Sequence, residues 1–330
     1  MSKSDKIAGW LASQAKQGSP SPTPETELSF EPRDTPIIEA LLPSAITDES
    51  GCIILEHRQS IPVSFALAEE SSIALLSDLR LLFGIGARYA DRLRADGYDT
   101  IDSLRSHPRW GTASAALLDR WGTPFDPIEV YRTLARWLPA SSPGFLRLLS
   151  LISPSDLLFF DLETLGLGGA PVILAAIGRF EPDGFLVRQY LAPSPAEEIA
   201  LLELLRRDIR AATGLLSYNG KSFDWTVLKE RFAYYGLSLP RVEVHVDLLH
   251  QARRAWRDEL GDCHLGTIEE SVLGVRRDAD LPSEQVPLYY TMYLETGHPG
   301  PLVPIVNHNR QDIISLGLLL DRLLRMNGDA

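Results

Sequence analysis

The segment "LLFFDLET" carries two acids, Asp161 and Glu163, one residue apart at the end of an apolar run. Successive side chains of a strand point to opposite faces, so the two carboxylates share one face while Leu162 turns into packing. Side by side they repel and resist desolvation unless something positive lies between them. A divalent cation is one solution, and oxygen ligands suit Mg²⁺ or Mn²⁺. A solvated strand end is the other reading. Two further segments bear on the choice. "SYNGKSFDWTVL" places Asp224 just after a buried strand and in the first turn of a helix. "HNRQD" places His308 and Asp312 four residues apart near the start of the last helix. At about 100° per residue they stand roughly 40° apart on one helix face. Taken singly, Asp224 reads as a helix cap and HNRQD as a polar first turn. Together the segments supply three acidic elements at the ends of apolar stretches, which is what holding two metals roughly 4 Å apart requires.

In this order the motifs resemble the DEDD exonuclease superfamily, with its ribonuclease H-like fold. In detail they are most similar to the YprB-like ribonuclease H-like domain family. The resembling stretches are "FFDLETLGL", "LLSYNGKSFDWTVL", "VDLLHQARRAWR", "CHLGTIEESVLGV" and "VNHNRQDIISL", which span most of residues 155–325. The resemblance implies hydrolysis of DNA or RNA phosphodiesters with two divalent cations, Mg²⁺ or Mn²⁺, in the manner of a 3′–5′ exonuclease. It implies Asp161, Glu163, Asp224 and Asp312 as metal ligands and His308 as general base. Thr164, Leu165, Gly166, Asn219 and Lys221 would contact substrate. Asp247 fits a further acidic position of the fold, more structural than catalytic. Exonucleases with a catalytic His usually place it five residues before the last Asp, and those with a Tyr four before. This chain has His at the Tyr spacing, as the YprB-like pattern does.

These residues need a scaffold. "LLFFDLET", "PVILAAIGRF" and "FLVRQYLA" read as strands, the last two joined by a Pro182-Asp183-Gly184 turn. "PAEEIALLELLRRDI" has helical periodicity with acids in its first turn. "GLLSYNG" is a buried strand, "FDWTVLKERFAYYG" a helix closed by Gly236, and "VEVHVDLL" a fifth strand. The final helix is expected over residues 309–326. Strands first paired by hairpins and then alternating with helices imply an α/β domain over residues 146–330, a mixed sheet flanked by helices.

Upstream, residues 1–36 read as a disordered tail, as in "GSPSPTPETELSFEPRDTP". Residues 37–140 read as a smaller, mainly helical region that opens with a short strand or hairpin, "GCIILEHRQSIPVSF". Residues 138–145, "LPASSPGF", are the linker candidate. Residues 79–104 resemble a helix-hairpin-helix unit. A first helix would end near Phe83, Gly84-Ile85-Gly86 would turn, and a second helix would run to about Asp96. Gly84, Gly86 and Arg88 would then contact a phosphate. Residues 79–110 hold six arginines against four acids, a local excess of positive charge in a chain of net charge -12. That overall charge argues against a general phosphate sponge. Cys52 and Cys263 have no metal-ligand spacing and read as reduced thiols of a cytoplasmic protein. The first residues lack a signal peptide's apolar core, and no apolar run approaches the ~20 residues of a membrane span. A non-catalytic nucleic-acid scaffold and a protein-interaction module are the rival readings of the same fold.

Overall fold

The structure, a computed structural model, describes residues 45–63, 65–166, 168–277 and 280–328. The expected tail therefore lies outside the described residues. Seven strands form one mixed sheet in the order β1-β2-β5-β4-β3-β6-β7. They are β1 Ile46–Thr47, β2 Ile53–Gln59, β3 Leu157–Thr164, β4 Val172–Glu181, β5 Gly184–Leu191, β6 Gly214–Ser217 and β7 Val244–Asp247. The first five pair antiparallel, and β6 and β7 join β3 in parallel. The hairpin-then-crossover pattern of the sequence is thus realised as a mixed sheet with helices beside it, the expected α/β class.

Eleven helices accompany the sheet among the described residues. The upstream helices are α1 Ala68–Leu76, α2 Ala87–Ala95, α3 Gly111–Trp121, α4 Pro127–Trp137 and the short α5 Gly144–Leu149. Those that flank or follow the sheet are α6 Glu198–Ala211, α7 Asp224–Tyr235, α8 Leu248–Leu260, α9 Leu265–Ile268, α10 Val286–Thr296 and α11 Leu302–Gly328. The period of two along β3 divides the core. Leu158, Phe160 and Leu162 pack with Leu201 and Leu205 of α6 and Leu228 and Phe232 of α7. Phe159 packs on the opposite face with Ile313, Leu316 and Leu320 of α11. Gly178 of β4 lets α11 come close, since a Cβ there would lie 2.6 Å from Ile313 and 2.5 Å from Phe185.

The structure revises several local expectations. The segment expected as a short strand or hairpin becomes β2, which pairs with β5 over seven residues and so extends the same sheet. The linker candidate is packed: Gln251 Nε2 donates to the carbonyls of Ala140 (2.7 Å) and Ser142 (3.2 Å), and Phe145 is buried. In the hairpin unit the first helix does not reach Phe83. α1 stops at Leu76, and only a 3₁₀ turn, Leu79–Leu81, precedes the loop. The second helix, α2, runs to Ala95 with Asp96 as its C-cap, in line with the expected end. The last helix begins at Leu302, seven residues earlier than expected. Pro304 falls in its first turn, where an amide has no intrahelical partner, so the ring costs nothing there. His308 therefore sits beyond the first turn, which excludes it as a terminal cap.

Candidate active site

β3 carries Asp161 and Glu163 to the α11 side of the sheet, because both share the parity of Phe159. A register shift between Glu163 and Thr164 breaks the ladder just after the acids, a common device beside functional sites. On the same face, Asp161, Ala176 and Gln189 stand in a row across three strands. The small Ala176 leaves room for the buried Gln189 side chain. Gln189 Nε2 donates to Asn309 Oδ1 and to the carbonyl of Val306, both at 2.9 Å. Asn309 Nδ2 in turn donates to Asp161 Oδ2 at 2.8 Å. One oxygen of Asp161 is thereby fixed by α11.

Asp224 is the first residue of α7, reached from β6 through the loop of residues 218–223. A Cβ on Gly220 would stand 2.7 Å from Asp224 Oδ2 and 2.6 Å from Ser217 Cβ, so only glycine lets the carboxylate fold back over this loop. Asn219 has a left-handed backbone, φ 60°. Its amide donates to Asp247 Oδ1 at 2.8 Å, the Lys221 amide donates to Asp247 Oδ2 at 3.3 Å, and the Leu249 amide donates to Oδ1 at 3.1 Å. Asp247 is thus a loop clamp and the N-cap of α8.

α11 supplies His308 and Asp312, one turn apart. His308 Nε2 lies 3.8 Å from Glu163 Oε1 and 3.5 Å from Asp312 Oδ2. One donor atom each from Glu163, His308 and Asp312 falls within 4.8 Å of the other two. The sequence reading missed what surrounds them. Glu269, nearly inaccessible at 2%, accepts from Arg277 Nε (2.8 Å) and Nη2 (2.5 Å) and from the Ser315 hydroxyl. Arg277 also donates to Asp312 and, through Nη1, to Asp280 Oδ1 at 3.0 Å. His308 Nδ1 lies 2.7 Å from the same Asp280 oxygen. Glu269 sits inside a stretch singled out by resemblance, in a π-type turn, Glu269–Leu273, a geometry frequent at functional sites. Its burial had no sequence signature.

Burial raises all four expected ligands above the ordinary carboxylate range. Asp161 is pushed well up by burial and then by the charges of Asp312, Asp224 and Glu163, against the hydrogen bond from Asn309. Glu163 is raised by burial and by Asp312, Asp224 and Asp280, with Arg277 opposing. Asp312 is raised by burial, which outweighs the pull of His308 and Arg277. Burial and the Asp247 charge bring Asp224 to about 7. A group whose folded pKa is raised adds stability below its unfolded pKa of about 4, and that stability is lost as pH rises through the folded value. The buried His245, held at about 3 by burial and then by Lys221, works in the opposite sense below its unfolded pKa of about 6.5. A comparison that cancels His245 is therefore the useful one. Without divalent cations, Asp224→Asn should melt above wild type at pH 8, by an amount that shrinks towards zero near pH 4. A gap independent of pH would mean that Asp224 ionises as an ordinary surface acid.

The expected substrate contacts are placed less uniformly. Thr164 Oγ1 donates to the Gly166 carbonyl at 2.8 Å, and the Leu165 amide is committed to the Pro171 carbonyl at 3.0 Å, with the Leu165 side chain buried. The loop they begin is tied down by Arg231, which donates to the Gly169 carbonyl at 2.7 Å and forms a buried pair with Glu198. Lys221 Nζ donates to the Tyr131 hydroxyl of α4 at 2.9 Å. Gly84, Gly86 and Arg88 are exposed on the upstream hairpin.

Comparison with known proteins shows the family. A family model described as the RNase H superfamily matches residues 158–324. A Bacillus subtilis (strain 168) protein described as uncharacterized protein YprB is 37% identical over 167 residues, which cover 49% of this chain and 40% of that one. The match thus spans well under two thirds of the relative. Among solved structures, the family B DNA polymerase from the hyperthermophilic archaeon Pyrobaculum calidifontis aligns with a TM-score of 0.41 at 18% identity, covering 52% of this chain and 27% of the polymerase.

Proposed function

Because this chain belongs to the RNase H superfamily, with a YprB-like domain, we propose that it is a metal-dependent nuclease that removes nucleotides from the 3′ end of DNA or RNA. The observation that carries the reading is the convergence of Asp161, Glu163, Asp224 and Asp312 from three separate elements at one largely buried place. Such a gathering of like charges is costly to the free protein and suits hard divalent cations, which prefer oxygen donors. The donor set therefore fits Mg²⁺ or Mn²⁺, held by these four side chains. When bound, divalent cations there supply Lewis acidity to the attacking water and to the leaving 3′ oxygen. The chain's own residues do the positioning: Asn309 fixes Asp161, Gly220 admits Asp224, Arg277 holds Asp312, and the Nε2 edge of His308 is turned towards the same place.

The test is incubation of 3′-labelled and 5′-labelled strands, DNA and RNA, with Mn²⁺ and with chelator. Stepwise loss of the 3′ label with Mn²⁺ and none with chelator is expected. Cleavage that persists in chelator would end the metal-dependent reading, and internal cuts alone would end the exonuclease assignment.

The upstream hairpin supports a phosphate contact. Gly86 is the N-cap of α2 and no side chain caps that end, so the first amides of α2 face outward. The tip is braced from below, because Trp110 Nε1 donates to the Phe83 carbonyl at 3.2 Å. Gly84 has φ +82° and resists substitution, whereas a Cβ on Gly86 meets nothing within 4 Å. Gly86→Leu combined with Arg88→Ala is therefore the informative variant. It should weaken binding to long strands and lower the salt slope by about 1 for each phosphate that is no longer neutralised. Short strands should be bound as before. Equal weakening on both lengths would remove the hairpin from binding.

A further inference from the structure

Resting on the metal-dependent reading above, we infer that His308 is itself a metal ligand, binding a first-row cation such as Mn²⁺ through Nε2, with Asp280 as the residue that positions its ring. The hydrogen-bond chemistry assigns the tautomer. Nδ1 stands 2.7 Å from Asp280 Oδ1. A carboxylate oxygen only accepts, so this contact, the shorter of the two to Nδ1, places the hydrogen on Nδ1. Arg277 Nη1, 3.0 Å from the same nitrogen, would need Nδ1 as an acceptor, but it has the Asp280 oxygen to donate to at 3.0 Å. Arg277 and His308 both converge on the same Asp280 oxygen. With that hydrogen on Nδ1, Nε2 is the ring nitrogen left to bind an ion.

That atom faces the acids. Two donors bound to one cation at ~2.1 Å stand ~3.0 Å apart when adjacent and ~4.2 Å apart when opposite. The Nε2 separations from Glu163 and Asp312, 3.8 and 3.5 Å, both lie in that interval. The Ser283 hydroxyl, 3.3 Å from Nε2, can rotate its hydrogen away when the electron pair is needed. A histidine that donates its other N–H to a carboxylate is the usual arrangement around metal-bound imidazole. Charge permits the cation despite Arg277, because that guanidinium is bound by Glu269, Asp280 and Asp312, while Asp161, Glu163 and Asp224 add further negative charge beside Asp312. An imidazole donor also tilts preference from Mg²⁺ towards Mn²⁺.

The experiment uses the full chain with Mn²⁺ alone, at less than one equivalent, and reads nitrogen hyperfine coupling by pulsed electron paramagnetic resonance. Wild type should show imidazole nitrogen coupling, and His308→Gln should lose it. Asp280→Asn should bind Mn²⁺ about 10- to 100-fold more weakly, by titration of the free-ion signal. The wild-type spectrum decides the matter even where a variant folds poorly. Tight Mn²⁺ binding without nitrogen coupling would overturn the ligand role of His308 and leave the carboxylate site standing. Absence of Mn²⁺ binding to wild type would overturn both.

Discussion

Asp161→Asn should reduce cleavage to background while raising the melting temperature of the metal-free protein. The two effects have one cause. The carboxyl of Asp161 is pushed up first by burial and then by Asp312, Asp224 and Glu163. Its charge is therefore a burden without a cation and, on the proposed function, would be a ligand with one. The amide keeps an oxygen that can accept from Asn309 Nδ2, so the local packing need not change. It removes a negative charge from the cluster, and each unit of pKa elevation relieved is worth about 1.4 kcal/mol at neutral pH. A stabilised, inactive variant that no longer gains stability from Mn²⁺ is the expected result. Normal turnover in this variant would remove Asp161, and with it the two-cation reading, from the mechanism.

Arg277→Met should have the largest effect on folding, a decrease of about 3–5 kcal/mol in chelator. The side chain of Arg277 is 13% exposed and bridges Glu269, Asp280 and Asp312. Removing it leaves the almost inaccessible Glu269 with only the Ser315 hydroxyl, close to a cluster that is already anionic. Loss of one partner of a buried pair is costly because the other charge remains desolvated. Added Mn²⁺ should recover more stability in this variant than in wild type, since one fewer positive charge stands beside the carboxylates. Arg277→Lys should recover only part, because an ammonium cannot reproduce the fork that reaches two carboxylates at once. Thermal melts of the three proteins with and without Mn²⁺ check this. A decrease below about 1 kcal/mol, the range of solvent-exposed pairs, would show that the bridge is solvated in solution.

The part of the site that lay open in the sequence was local in character. The alternation of β3 placed Asp161 and Glu163 on one face before any partner strand was known, and four-residue spacing aligned His308 with Asp312. Strand, hairpin and crossover patterns likewise led to the mixed sheet. What tertiary structure decided was of another kind. Gln189 looked like one polar residue in "FLVRQYL", yet the register that sets it beside Ala176 and Asp161 makes it the support of Asn309. Glu269, Arg277 and Asp280 come from a π-type turn and the irregular segment after it, where no period marks which side chain faces inward. The start of α11 also escaped, since a proline that would break a helix interior is harmless in the first turn. Dihedral preference and side-chain parity act between neighbours and can be read along the chain. The pairing of a guanidinium with three distant carboxylates depends on how the layers pack, and only the folded arrangement brings those charges to within hydrogen-bonding distance.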